Sequence, residues 1–225
     1  QFSPDNIGHV SLISVGYPLT HALAFWFKLF GPGILQARLM MIIYMLGFVI
    51  VSFLLLRRLY DDNIALASLA ILATFPPFYS FGKEVIGEVP VLFFFTFFLL
   101  ALNLAISGNQ KRRVFWFIIS GVTAGLCIAT KTMALVFIPI LFIGAFLAYR
   151  KKLVKWNDIS IVTISALFPF VVWIISNFTP GDSLASVFDY YSNPSALTNK
   201  TATFWLNMRM FVGGIGPIYM LFLTI

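Results

Sequence analysis

The chain has 225 residues, of which 60% are hydrophobic, 17% aromatic and only 10% charged. A typical soluble domain is about 45–50% apolar and about 25% charged. Together with a mean hydropathy of +0.94, this composition excludes a disordered chain, a collagen, a coiled coil and a water-soluble enzyme domain. It predicts an all-α polytopic membrane protein, because long apolar runs are what a bilayer requires.

Seven apolar stretches approach the length of a membrane span. A helix needs about 20 mostly apolar residues to cross the hydrocarbon core, and we therefore predict a transmembrane bundle with about seven spans. In chain order the stretches are Arg38–Leu56, Ile64–Phe81, Val89–Ser107, Phe115–Thr130, Met133–Tyr149, Ile159–Phe178 and Phe204–Ile225. An outer-membrane barrel is excluded, because its strands would alternate polar and apolar residues.

The positive charges fall in alternate short turns between these spans. Nine of the fifteen Lys and Arg residues do so: Arg57, Arg58, Lys111, Arg112, Arg113, Arg150, Lys151, Lys152 and Lys155. The positive-inside rule predicts that these turns are cytoplasmic. Topology thus accounts for the net charge of +7, and no basic face remains that would indicate a nucleic-acid partner.

The opposite, outer side collects the other polar residues. They are Asp5, His9, His21, Glu84, Glu88, Lys131, Asp182 and Asp189. Acids and imidazoles on one side of a membrane indicate ligand binding or chemistry there. The alternative is that these are simply the residues that water permits at the end of a span.

A short aromatic segment precedes the first span. Gly16–Gly31 is too short to cross a bilayer with confidence, Pro18 suits the first turn of a helix, and the closing glycine suits its end. We predict a juxtamembrane helix on the outer side, acting either as an interfacial anchor or as a wall of a lipid-substrate site. Residues 1–37 then form an extracytoplasmic loop, and residues 38–225 form a bundle that we expect to be truncated at both ends.

Charged residues separate the second and third predicted spans with almost no loop. Glu84 and Glu88 are spaced i, i+4, so a helix would place both on one face. Glu88 could cap the third span and pair with Lys83. Alternatively it could be a metal ligand, a helper of a general base or an acceptor for a sugar hydroxyl.

The fourth predicted span ends at a lysine. Gly121 and Gly125 form a small-xxx-small face that favours close helix packing. Lys131 has no acidic residue within twelve positions in the sequence. It could extend to lipid headgroups or bind a phosphate as a point charge.

The order of these features resembles a known group of membrane enzymes. The motifs in question are Tyr17-Pro18, Lys28–Gly31, Arg38, Arg57–Tyr60, Gly87–Pro90 and Gly121–Lys131. They resemble the GT-C glycosyltransferases that use polyprenyl-phosphate sugars, and most closely the protein mannosyltransferase and lipid A aminoarabinose transferase branch, over roughly Gly16–Tyr149. The resemblance implies a helix bundle whose extracytoplasmic loops form the active site, and transfer of a sugar from a polyprenyl-phosphate donor to a protein, lipid or glycan hydroxyl.

The resemblance also implies roles for single residues. Lys131 matches a lysine near the carrier phosphate, and Glu88 matches an acidic position at the outer end of a helix that borders the site. Our candidate catalytic residues are Glu88 and Glu84, and our candidate substrate-binding residues are Lys131, Lys83, Tyr17, His21 and Arg38. The usual base in this group is an Asp in the first outer loop. Because Asp5 lacks the neighbouring Glu of that motif, we expect the main base to lie upstream of Gln1.

The remaining expectations concern cofactor, membrane and class. A divalent metal ion is a candidate cofactor. The protein is expected in the plasma (inner) membrane with its active site facing outward, or in the endoplasmic reticulum if it is eukaryotic, in contact with membrane lipid. The alternatives are a transporter or flippase of lipid-linked or small polar substrates, and a non-catalytic assembly subunit. A transporter usually shows internal repeats and polar groups at the midplane, and neither is evident here.

Overall fold

The computed structural model describes residues 15–108, 110–131, 134 and 137–177. These residues form eight α-helices and no strand, which confirms the all-α prediction. The helices are α1 Tyr17–Phe30, α2 Ile34–Leu59, α3 Asp62–Ala73, α4 Pro76–Gly82, α5 Glu88–Ser107, α6 Arg113–Thr130, α7 Ile138–Arg150 and α8 Trp156–Asn177, with a short 3-10 helix at Gln110–Arg112 between α5 and α6.

Within the described residues, four helices are long and apolar enough to cross a membrane. They are α2, α5, α6 and α8, of which the apolar part of α8 is Trp156–Ser176. They confirm a membrane helix bundle. The predicted count of seven spans is not confirmed, and the stretch Phe204–Ile225 lies outside the described residues.

The predicted single span Ile64–Phe81 is wrong, because two shorter helices, α3 and α4, replace it. The break falls at Phe75, whose backbone is extended, immediately before Pro76 and Pro77. Proline disfavours helical conformation in the residue before it and offers no N–H to the preceding turn, so a helix ends there.

The predicted span Met133–Tyr149 is also shorter than expected. Its helix, α7, has 13 residues and begins at Ile138, with Pro139 in its first turn. At 1.5 Å per residue such a helix is too short to cross a hydrocarbon core of about 30 Å. Apolar composition therefore overestimated the helical length of this segment.

The short helix predicted before the first span is present, and its place on the outer side of the membrane stays a prediction. α1 begins at Tyr17 with Pro18 in its first turn, and it ends at Phe30, followed by Gly31 with a positive φ of 82°. Glycine reaches that backbone conformation without the steric cost that a Cβ would add. The first long helix, α2, begins at Ile34, one turn before the predicted Arg38.

The contacts between helices define two ends of the bundle. α5 and α6 are antiparallel neighbours, whereas α2 runs in the same direction as α5: Tyr44 packs against Val89 near the start of α5, and Leu55 packs against Leu100 further along it. The start of α5 and the end of α6 therefore lie at one end, here called the Glu88 end. The turns at residues 57–61, 110–113 and 150–155 lie at the other, here called the basic end.

Close helix packing joins α6 to α8 through the two predicted glycines. A Cβ on Gly121 would lie 2.3 Å from the carbonyl oxygen of Val162, and a Cβ on Gly125 would lie 2.3 Å from that of Ala166. Only glycine permits this approach of two backbones. The small-xxx-small prediction is confirmed.

A buried ion pair closes the basic end of the same two helices. Arg113 donates to Asp158 Oδ2 at 2.7 Å, and the two side chains are only 16% and 11% exposed. Asp158 Oδ2 also accepts from the backbone N–H of Lys155, and Arg113 donates to the Leu153 carbonyl. The pair therefore fastens the α7–α8 turn to the start of α6.

Candidate active site

An ion pair between Glu88 and Lys131 is the centre of the candidate site. Glu88 is the first residue of α5, and Lys131 directly follows the last residue of α6. Because α5 and α6 are antiparallel, residues 43 positions apart meet, and Lys131 Nζ donates to Glu88 Oε1. The Glu88 side chain is 35% exposed and the Lys131 side chain is 21% exposed. The site is thus a half-buried pair at the Glu88 end.

The second carboxylate oxygen of Glu88 is left unpaired by the part of the chain that the structure describes. Glu88 Oε2 is buried and has no hydrogen-bond partner among the described residues. A buried oxygen without a partner is costly, and such groups in native proteins usually have a functional explanation or an unseen partner. This oxygen is available to accept a hydrogen bond from a hydroxyl.

Gly87 leaves room for the lysine stem. A Cβ on Gly87 would lie 3.3 Å from Lys131 Cδ, tighter than most real contacts. The glycine before Glu88 therefore lets the aliphatic part of Lys131 lie against the backbone at the start of α5. This is a packing role that the sequence pattern alone did not reveal.

The start of α1 is anchored beside Lys131. The backbone N–H of Gly16 donates to the carbonyl of Thr130 at 2.9 Å. A Cβ on Gly16 would lie 1.8 Å from the carbonyl oxygen of Ala129 and 2.9 Å from Trp173 Cδ1. No side chain fits there, so Gly16 is required for α1 to approach the end of α6.

The first turn of α1 is packed into the bundle. Leu19 is buried against Met41, Tyr44 and Val89, and the Tyr44 hydroxyl donates to the carbonyl of Pro18 at 3.1 Å. These contacts hold α1 against α2 and α5. The juxtamembrane helix is therefore a fixed wall beside the ion pair.

Two of the predicted substrate-binding residues lie on this wall. The Tyr17 hydroxyl donates to the carbonyl of Pro169 in α8 at 3.3 Å, and burial raises the pKa of the Tyr17 phenol above its ordinary value. His21 is exposed one turn further on; its ring stacks edge-on to Tyr17 at 5.8 Å, and its Nδ1 lies 3.4 Å from the Thr20 hydroxyl.

The other predicted residues are not joined to the pair by any described contact. Lys83 and Glu84 are exposed in the bend Lys83–Gly87, which is not helical. The prediction that Glu84 and Glu88 lie on one face of a helix is therefore wrong. The partner of Glu88 is Lys131 rather than Lys83. Arg38 is exposed near the start of α2. Four further outer-side residues lie outside the described part of the chain: Asp5, His9, Asp182 and Asp189.

The described residues offer no cluster of metal ligands at this site. Among the described residues, no group of three His, Cys, Asp or Glu side chains could hold a metal ion. The Glu88–Lys131 pair offers a metal ion a single carboxylate, and the lysine ammonium beside it would repel a cation. No step of the chemistry below therefore passes through a metal ion, and the divalent cofactor stays an untested prediction.

Comparison with known proteins decides the family. The sequence profile described as dolichyl-phosphate-mannose-protein mannosyltransferase matches residues 18–175, well over half of the chain. The chain belongs to this family. The matched region includes Glu88 and Lys131 as well as most of α1 and α8. No curated protein and no solved structure gave a significant match.

This membership confirms the GT-C resemblance. Family and apolar helices together identify a multi-pass membrane glycosyltransferase of the mannosyltransferase type. The roles of the single site residues stay predictions.

Proposed function

We propose that this protein transfers a sugar from a polyprenyl-phosphate donor to a hydroxyl of a protein, lipid or glycan at the Glu88 end of the bundle. The observation that carries the proposal is the half-buried Glu88–Lys131 pair, which lies within the family match and opposite the basic end. An ion pair at the end of two apolar helices is where a lipid-anchored donor can present its phosphate and sugar.

Lys131 is proposed to bind the donor phosphate. In sugar transfer the bond between the anomeric carbon and the phosphate oxygen breaks, and its electron pair leaves with the phosphate. An ammonium group beside that oxygen stabilises the developing negative charge. Lys131 has three N–H donors, so it can bind the phosphate while it remains bonded to Glu88 Oε1.

Glu88 is proposed to position both the lysine and a hydroxyl. One oxygen holds Lys131, and the buried Oε2 is available to accept from a hydroxyl of the sugar or of the acceptor. A carboxylate in hydrogen-bond contact with the acceptor hydroxyl can help a general base to remove its proton as the new glycosidic bond forms. Acceptor and phosphate would then lie on opposite faces of the sugar, which gives inversion.

The surroundings suit a donor with a lipid tail. α1 exposes Phe25, Leu29 and Phe30 along its later turns, while its first turn is packed next to Lys131. A polyprenyl chain has to stay in the apolar part of the bilayer. α1 would then lie at the interface, with its exposed aromatic side chains against lipid.

A transfer assay tests this proposal. We expect the purified protein in lipid vesicles to move labelled mannose from polyprenyl-phosphate mannose to an acceptor, and Lys131→Met and Glu88→Gln each to slow transfer about 100-fold or more, as removal of one charge-stabilising group does. The control is Arg57→Gln, which breaks an exposed ion pair with Asp62. Unchanged transfer in both site variants would refute the roles, and movement of intact donor without a new bond would indicate a flippase.

Sidedness can be tested independently. The positive-inside rule predicts that the Glu88 end faces outward. Lys83 and Lys151 are exposed at opposite ends, and the native Cys127 is buried. In intact cells, an impermeant thiol reagent should therefore label Lys83→Cys and spare Lys151→Cys. The reverse pattern would place the site in the cytoplasm and exclude an extracytoplasmic acceptor.

A further inference from the structure

The α7–α8 turn at the basic end carries a compact group of cations. Arg150, Lys151, Lys152 and Lys155 are all exposed within six residues. They lie at the end opposite the Glu88–Lys131 pair, so the function proposed above makes no use of them. We propose that this turn, here called the cationic turn, binds the headgroup of an anionic phospholipid.

The cationic turn is rigidly held from the inside. Val154 is buried against Ala105 and Phe117, the Leu153 carbonyl accepts from Arg113, and the Lys155 N–H donates to Asp158. Val154 thus packs into the bundle, whereas the neighbouring Leu153 side chain is exposed beside the cations. The cations are presented outward on a fixed backbone, so little order has to be gained when a ligand binds.

The backbone of the turn has an unusual residue at its key position. Lys152 N–H donates to the Tyr149 carbonyl and Leu153 N–H donates to the Ala148 carbonyl, which is the Schellman arrangement that ends many helices. Its left-handed position is usually glycine, yet here it is Lys152, with φ 58°. A lysine side chain therefore occupies a left-handed backbone position that favours glycine, which has no side chain.

The carboxylates of the basic end are already in use. Three acids of the described residues lie there: Asp61 caps α3 by accepting from Ile64, Asp62 pairs with Arg57, and Asp158 pairs with Arg113. No described carboxylate is left to neutralise Lys151, Lys152 or Lys155. A ligand for this turn therefore has to bring negative charge.

The neighbours of the turn indicate a lipid rather than a soluble anion. The rings of Tyr149 and Trp156 flank the turn, 6.2 Å apart and edge-to-face, and both are exposed. The preceding turn of α7 exposes Phe146 and Leu147. Aromatic side chains between an apolar helix and cations are typical of headgroup depth, where anionic lipids attract basic residues.

The binding of anionic lipid to the cationic turn can be measured by counting the lipids that the protein retains. The full chain is placed in nanodiscs of equal phosphatidylglycerol and phosphatidylcholine, and the retained lipids are counted by native mass spectrometry. We expect phosphatidylglycerol to be enriched, and Lys151→Gln with Lys152→Gly to lower the enrichment about fivefold or more, since each cation near an anionic surface contributes about fivefold. Glycine suits the backbone of residue 152, so this variant should fold at least as well as the wild type.

A charge-matched control separates a site from a general surface potential. Arg57→Gln with Arg58→Gln removes two cations from the same end, but these are occupied by Asp62 and Asn103. We expect the control to keep the wild-type enrichment. Equal loss in both double variants, or no loss in the first, would overturn the proposal.

Two further experiments identify the ligand and test whether lipid binding at the cationic turn is independent of the proposed sugar transfer. Inorganic phosphate should displace phosphatidylglycerol no better than chloride at equal ionic strength; stronger displacement would mean a free-phosphate site and would refute the lipid. Lys131→Met should leave the enrichment unchanged, so failure of the glycosyltransferase proposal and failure of this one are distinguishable. Loss of enrichment in Lys131→Met would assign the bound lipid to the Glu88 end.

Discussion

The α6–α8 contact gives the sharpest test of the packing. A Cβ on Gly125 would lie 2.3 Å from the Ala166 carbonyl oxygen and 3.0 Å from Pro169 Cγ. Both neighbours belong to backbone or to a rigid ring, so neither can swing away. Since ordinary contact begins at 3.4 Å, the two helices would have to separate locally by about 1 Å.

The expected cost follows from two opposing effects. Overpacking typically costs about 1–3 kcal/mol, whereas replacing Gly by Ala in a helix contributes about 0.5–1 kcal/mol of stability. Gly144 provides the matched control, because it lies within α7 and no described atom lies within 4 Å of its Cβ position. We expect Gly144→Ala to be neutral or stabilising and Gly125→Ala to be about 1–3 kcal/mol less stable than that control.

Reversible unfolding in mixed micelles measures the difference. A Gly125→Ala, Gly125→Val series should show increasing loss of stability, because each added methyl group meets the same carbonyl. Transfer activity should fall with it, since Pro169 accepts from Tyr17 on the wall of the site. If Gly125→Ala and Gly144→Ala changed the free energy of unfolding equally, the close approach of α6 and α8 would be refuted.

Three further predictions concern single polar contacts. Asp158→Asn should lower the stability by about 3–5 kcal/mol, because it leaves Arg113 largely buried without its counter-charge; a thermal melt in detergent checks this, and Arg113→Met in the same chain should restore part of the loss. Asp61→Ala should cost about 1 kcal/mol through loss of a helix cap, whereas Asp62→Ala, which removes an exposed ion pair, should cost less than about 1 kcal/mol; equal costs would contradict the cap. Tyr17→Phe should cost about 1 kcal/mol at neutral pH. Because burial raises the pKa of this phenol above 10.0, the native state favours its neutral form. That stabilisation is complete below pH 10.0 and is lost as the pH rises through the raised pKa of Tyr17. The loss of unfolding free energy in Tyr17→Phe, measured by denaturant titration, should therefore shrink in that range. A loss that does not depend on pH would contradict the burial.

Much of the candidate site could be proposed from the sequence, but its geometry could not. Lys131 and Glu88 were predicted to share one side of the membrane, because the basic turns alternate with the turns that carry them. Their pairing was not predicted, since Lys83 lies closer to Glu88 in the sequence. Gly16 gave no signal at all, because its role depends on the approach of a carbonyl from α6.

The basic end shows the same limit. Arg113 was counted with the cations of a turn, and the structure shows it largely buried against Asp158, a residue that nothing in the local sequence singles out. The sequence analysis also predicted one long span across Pro76 and Pro77, where the structure has two shorter helices. That break has a purely local cause, because proline disfavours helical conformation in the residue before it.

By itself the sequence determined that this chain is helical, membrane-embedded and asymmetric in charge, that Pro18 lies in the first turn of α1 and that Gly31 follows its last residue. These properties depend on local composition and on the bilayer as solvent. Only the tertiary structure decided which charge meets which, because the antiparallel course of α5 and α6 brings Glu88 to Lys131 across 43 residues. Partner choice depends on how helices are placed, and the order of residues along one helix does not contain that information.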